Sequence, residues 1–151
     1  MKKAVIVYAS THHGNTRKLV DAISAEYPIV LIDATEQTQA DLNQYDLIGF
    51  ASGVDFGRFY EPVERFLKEN LPEKKQVFFL YTCAMVQKGF TKSMRQEAEK
   101  KNAALLGEYG CRGFNTYGPW KLVGGMNKGH PTVEEASGAL LFYASVLEKA
   151  K

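Results

Sequence analysis

Four apolar residues in unbroken succession, Ala4-Val5-Ile6-Val7, run through the segment Lys3–Tyr8 and lead directly into the polar stretch Ser10-Thr11-His12-His13-Gly14-Asn15-Thr16. A strand with one face in water alternates apolar and polar residues. A continuous run instead marks a strand buried on both faces, as in the centre of a parallel sheet covered by helices on either side. Short apolar runs then alternate along the chain with longer segments of helical spacing, the pattern of a doubly wound α/β domain.

Leu19, Val20, Ile23 and Tyr27 recur at helical spacing and Pro28 closes the segment, which predicts a helix over 15–26. Strands are expected at Ile29–Ile32, Asp46–Ala51 and Gln76–Thr82, with room for only a short helix in Thr35–Tyr45. Ser52–Arg58 reads as a glycine-punctuated loop, followed by a helix carrying Phe59, Val63, Phe66 and Leu67 on one face, with Pro62 tolerated in its first turn. A helix near 91–102 and a fifth strand within Ala103–Phe114 come next. Thr132 and Glu135 form a capping-box pattern ahead of a last helix, with Val133, Ala136, Leu140, Tyr143 and Leu147 as its stripe. The expectation is five strands and five helices in one domain over residues 1–151. The aperiodic, glycine- and proline-rich segment Asn115–Pro131 is read from its length as functional or mobile.

Composition removes several classes of function. With 151 residues, 45% hydrophobic, the chain has enough apolar surface for one core, and a net charge of +2 lacks the excess typical of disordered chains. No apolar run approaches the roughly 20 residues of a membrane span, and Lys2 and Lys3 introduce no leader-like segment, so a cytoplasmic protein is expected. Basic residues fall in scattered doublets such as Arg17 and Lys18 rather than in a stripe, which argues against nucleic acid and for solvated faces. Cys83 and Cys111 fit neither a CxxC nor a zinc spacing and read as reduced structural thiols.

The stretch from Ser10 to Thr16 carries the chemistry. A buried strand feeding directly into a helix gathers backbone N–H groups at the positive end of the helix dipole, which suits a phosphate. Ser10, Thr11, Asn15 and Thr16 add neutral donors, and Gly14 lets the backbone curl around the anion. The stretch contains neither GxxxxGK[ST] nor GxGxxG, so a nucleoside triphosphate with magnesium and a dinucleotide are both disfavoured, leaving a monophosphate. His12 and His13 lack a third ligand at metal-binding spacing. One of them is placed near the phosphate, where protonation strengthens binding as pH falls.

Thr11-His12-His13-Gly14-Asn15-Thr16 resembles the phosphate loop of the flavodoxin family, with His13 in place of the family's usual threonine. The resemblance extends along essentially the whole chain and is to the short-chain type. It implies a sheet of order 2-1-3-4-5 with FMN across the carboxyl ends of its strands. Two further loops would then grip the isoalloxazine ring. The first, after strand three, contains Ser52, Gly53, Phe56 and Gly57; in flavodoxins a glycine peptide here turns its carbonyl toward flavin N5 on one-electron reduction, and Gly57 is the first candidate with Gly53 the second. The second, after strand four, offers backbone donors at Thr82, Cys83 and Ala84 and a flanking surface at Phe90. Phe59 is assigned to the core. The aromatic segment with Arg112 and Trp120 is read either as a surface for a partner or second substrate or as a plug over the sheet.

The function so implied is electron transfer through bound FMN, with a reductase and an acceptor protein as partners and a monomer or weak dimer as the state. Flavodoxins resemble one another in being strongly acidic, and this chain is near neutral. The alternative is therefore an FMN-dependent oxidoreductase acting on a small acceptor such as a quinone or porphyrinogen. A receiver-type module would need an acidic pair after strand one, and Tyr8-Ala9-Ser10 has none.

Overall fold

The computed structural model describes residues 2–11, 14–87, 89–113 and 127–151. Among the described residues six strands and four helices follow in the order β1 (Ala4–Ala9), α1 (Asn15–Ser24), β2 (Ile29–Asp33), β3 (Leu47–Asp55), β4 (Arg58–Phe59), α2 (Glu61–Asn70), β5 (Gln76–Cys83), α3 (Lys92–Lys100), β6 (Ala104–Arg112) and α4 (Val133–Lys149). The parallel sheet has the order β2-β1-β3-β5-β6, and β4 pairs antiparallel with the end of β3. This is the expected doubly wound α/β order with a hairpin added.

All six residues of β1 are buried. Ala4, Ile6 and Tyr8 join Leu19, Val20 and Ile23 of α1 and Ala139, Tyr143 and Val146 of α4 in one core. Val5, Val7 and Ala9 join Val63, Phe66 and Leu67 of α2 and Met94 and Ala98 of α3 in the other. Alternate side chains of one strand thus feed two cores, which is why the run is continuous rather than alternating.

Several elements differ from expectation. Asp33–Tyr45 holds no helix; Asp33 Oδ1 accepts from Thr35 N at 2.9 Å, an Asx-type turn that diverts the backbone from helix. β3 runs on through Ser52 and Gly53, which pair in register with Ala9, Tyr81 and Thr82. Loop-type residues are held in the ladder there because a glycine is needed under the Tyr60 ring, which a Cβ on Gly53 would strike. In α4 the buried stripe is Ala139, Tyr143 and Val146, whereas Val133 is 81% exposed. The helix docks one position round from the expected face, because its packing is directed by Tyr143 against Tyr27 and Phe78. The capping box does form, with Glu135 N donating to Thr132 Oγ1 at 3.1 Å and Thr132 N to Glu135 Oε1 at 2.8 Å.

Gly49 lies in central β3, and a Cβ there would overlap the fully buried Phe78 ring. Gly49→Ala is expected to lower stability by about 2 kcal/mol through overpacking, measured as a shift of the urea midpoint without a change of slope. An unchanged midpoint would contradict this packing.

Candidate functional site

From β1 the chain crosses to β2 on one side and then to β3 on the other, so a crevice opens at the carboxyl ends of β1 and β3. Three connections meet there: β1 to α1, the β3–β4 hairpin, and β5 to α3.

The first connection ends in Gly14, the α1 N-cap, with φ 65°. Glycine at the N-cap has no side chain to cap the helix, and the first turn contains Arg17 and Lys18 but no acid. Cations at the positive end of a helix dipole are unfavourable by themselves, whereas an anion there is favourable. A Cβ at Gly14 would meet nothing within 4 Å, leaving the backbone openly accessible. Ser10 Oγ accepts from Arg17 N at 2.9 Å and keeps its own hydroxyl proton to donate. Asn15 and Thr16 are buried, and Thr16 Oγ1 and Thr82 Oγ1 are 2.9 Å apart, tying α1 to the end of β5. Thr11 follows β1, and His12 and His13 lie outside the described residues.

The second connection is a two-residue turn, Phe56-Gly57, between the Asp55 and Arg58 pair. Both φ values are positive, 52° and 76°, as a type I′ turn requires. Asn-Gly usually fills such a turn. A phenylalanine held in the left-handed region and 96% exposed is a costly choice for a folded chain and marks a surface with a task. The base of the hairpin is fixed on two sides. Ser52 Oγ is fully buried, accepts from Tyr60 N at 2.8 Å and donates to Gly53 O at 2.6 Å. Arg58 donates to Glu64 Oε2 of α2 at 2.7 Å and to Ser93 Oγ of α3 at 3.1 Å. Phe59 is buried in the α2/α3 core, as expected.

In the third connection, Gly113 N donates to Cys83 O at 2.8 Å, and Asn127 Nδ2 donates to Ala84 O. The Phe90 ring stands edge-on to Tyr81, centroids 5.9 Å apart. Burial pushes the Cys83 thiol up to about 11 and the Cys111 thiol up to about 12. Both are therefore protonated, weakly nucleophilic thiols, in line with the structural reading. Arg112 N donates to Glu135 Oε2 at 3.3 Å, while Trp120 and the rest of 114–126 lie outside the described residues.

The fold thus brings Ser10, Gly14, Asn15, Thr16, Thr82, Cys83 and Ala84 to one end of the sheet, with Phe56, Gly57 and Phe90 on the loops beside them. Sequence reasoning gave no role to Arg58 or Glu64, whose pairing across elements leaves no periodic trace. It also read Arg17 as simply solvated, although its guanidinium donates to Tyr8 Oη and lies over the Tyr8 ring at 5.1 Å.

The sequence matches the flavodoxin domain family over residues 5–113, which spans β1 through β6 and every connection described above. The chain belongs to that family. This flavodoxin-family protein is 34% identical over 148 residues to an uncharacterized protein of Methanocaldococcus jannaschii, covering 97% of this chain and 99% of the relative. Its fold is shared by a flavodoxin, WrbA-like protein from Agrobacterium tumefaciens, with TM-score 0.69 and 16% identity, covering 99% and 97% of the two chains. It is shared also by a flavoprotein from Lactobacillus acidophilus determined in complex with FMN, with TM-score 0.57 and 20% identity, covering 73% and 93%. No helix among the described residues is long and apolar enough to cross a membrane.

Glu64 is a charged side chain in the protein interior, 6% exposed. Burial raises its pKa, but hydrogen bonds from Ser93, Arg58 and Lys68 outweigh that and hold the carboxyl below its usual range. A depressed carboxyl contributes stability that is present above its unfolded-state pKa and lost as pH falls through the folded value. Glu64→Gln is accordingly expected to flatten the acid limb of the melting temperature against pH. A wild-type acid limb in the variant would contradict the ion-pair assignment.

Proposed function

We propose that this chain binds FMN at the carboxyl end of its sheet and serves as an electron carrier, taking up and releasing electrons one at a time. The observation that carries the reading is the acid-free first turn of α1 behind its glycine N-cap at the switch point, beside a hairpin that spends conformational energy to expose Phe56 next to Gly57. Family membership and the FMN complex of a structural relative support it.

The donor set fits the cofactor. Ser10, Thr11, Gly14, Asn15 and Thr16, with His12 and His13, would hold the phosphate through neutral donors and backbone N–H groups, assisted by the helix dipole. Ser52, Gly53, Phe56 and Gly57 on one side and Thr82, Cys83, Ala84 and Phe90 on the other would border the ring. Because the Ser52 hydroxyl is engaged at both ends, that residue contributes by holding Gly53 and Tyr60 in place. Thr82 contributes backbone groups, its hydroxyl being turned to Thr16. When bound, the flavin supplies the redox chemistry, and the protein supplies orientation and local electrostatics. Gly57 is free to reorient its peptide, since a left-handed glycine with open space around it meets no steric barrier.

A second reading, FMN-dependent oxidoreduction of a small acceptor such as a quinone or porphyrinogen, is favoured by the net charge of +2. A near-neutral surface gives little electrostatic steering toward a basic protein partner.

Titration of the purified protein with FMN, followed by stepwise anaerobic reduction in a visible spectrometer, tests both readings. The carrier reading expects a bound-flavin band that is lost in two resolved one-electron steps. A single two-electron step would favour the small-acceptor reading, and absence of any bound flavin would overturn both.

A further inference from the structure

Residues 136–147 of α4 carry no charge, a stretch of roughly three helical turns. Ala139, Tyr143 and Val146 are the buried residues of this helix. Along its opposite side Val133, Ser137 and Leu141 recur every four residues, and Val133 and Leu141 are 81% and 72% exposed. Half-buried Leu140 and Ala144 lie beside them. A helix that is apolar around most of its circumference is normally covered on both sides, and an exposed face of this kind marks a contact. The two ends of α4 differ in shape and charge. At the start, Val133 projects beside Glu134, which is exposed and makes no ion pair among the described residues. At the far end, a cavity of about 360 Å³ is lined by Tyr27, Pro28, Tyr143, Leu147 and Lys2. Lys2 is half-buried and likewise makes no ion pair among those residues. This cavity lies at the amino ends of β1 and β2 and shares no residue with the candidate flavin site.

We infer that this face binds a second copy of the chain, with the two α4 helices packed antiparallel about a two-fold axis, Val133 of each entering the cavity of the other and Glu134 of each meeting Lys2 of the other. A two-fold interface makes every contact twice, so it needs a projection and a matching hollow on one surface. Val133 and Leu147 are about 21 Å apart along the helix. Antiparallel pairing centred near Leu140 therefore sets each Val133 level with Leu147 of the other copy, beside the cavity that Leu147 lines. Between these ends the seam mixes small Ser137 and Ala144 with Leu140 and Leu141, which lets the helices approach closely and leaves no charge to desolvate. The unpaired charges also match, an acid beside the projection and a lysine at the hollow. A small apolar ligand in the cavity would leave Val133 and Leu141 in water and Glu134 unpaired. α4 runs from the carboxyl ends of the strands, where Glu135 Oε2 accepts from Arg112 N, to their amino ends, where Lys151 N donates to Gln76 Oε1. The antiparallel pair thus sends the carboxyl ends of the two sheets to opposite ends of the dimer and leaves both open, so the inference stands apart from the flavin reading.

Sedimentation equilibrium of the purified chain from about 1 μM to about 1 mM, with and without FMN, is the test, since mass action makes a dimer concentration-dependent. The expected result is a rise from 16.9 kDa toward twice that mass, over the same concentrations in both cases. Val133→Glu places an acid on an exposed position in the first turn of α4, where the helix dipole tolerates it. That variant should keep the wild-type melting temperature and stay monomeric. Lys2→Glu and Glu134→Lys should each weaken association about threefold or more, the range of exposed ion pairs made twice, and the two changes combined should restore it. A monomer throughout the range, association seen only with FMN, a dimer that survives Val133→Glu, or a double variant as weak as the single ones would each overturn the inference. Should Val133→Glu fail to fold, the charge-reversed pair and its combination decide the matter by themselves.

Discussion

Burial of β1 on both faces is the constraint on which the rest of this structure depends. A strand whose every side chain is shielded must have helices above and below it, and parallel neighbours reached by crossovers. Once the first crossover leads to β2 and the next strand is laid on the opposite side, the carboxyl ends of β1 and β3 diverge into a crevice. The position of the site is thus a consequence of hydrophobic burial, and its chemistry comes from the loops that happen to leave the sheet there. α1 follows the central strand through a short loop and brings a cation-bearing first turn with a glycine N-cap to that crevice.

The hairpin illustrates how a local conformational cost is sustained by its surroundings. Phenylalanine in the left-handed region is disfavoured, and Phe56 makes up none of that cost through burial, being almost wholly exposed. Its flanks are held by the buried Ser52 hydroxyl on one side and the Arg58 bonds to α2 and α3 on the other. Buried Glu64 stays ionised because Arg58 and Lys68 face the same carboxylate oxygen, so its charge is spent in anchoring the strand that follows the turn. One side chain therefore links the stability of α2 to the geometry of the turn.

The parallel sheet and the strand-to-helix junction at Gly14 were legible because each leaves a local imprint, while the strand order came with the family resemblance. Continuous apolar runs report two-sided burial, the Thr132 and Glu135 spacing reports a helix start, and a strand running into Gly14-Asn15-Thr16 reports a turn into a helix. What could not be read depends on contacts between distant segments. Ser52 and Gly53 look like loop residues and are held in a central ladder by Ala9, Tyr81 and Thr82. The buried face of α4 shares Tyr143 with the stripe read from the sequence but turns to Ala139 and Val146, small or branched residues that the spacing alone does not single out. Arg58 and Glu64 are six residues apart with a turn into a helix between them, a spacing that carries no regular signal.

The central claim is that the first turn of α1 and the loop before it form a phosphate site at the switch point. Calorimetric titration of the protein with FMN and with riboflavin, which lacks the phosphate, isolates that contribution. Two or more charge-assisted hydrogen bonds to the phosphate should make FMN tighter by roughly a hundredfold or more. Equal affinity for the two flavins would mean that the turn holds no phosphate, and the account of the site would fail with it.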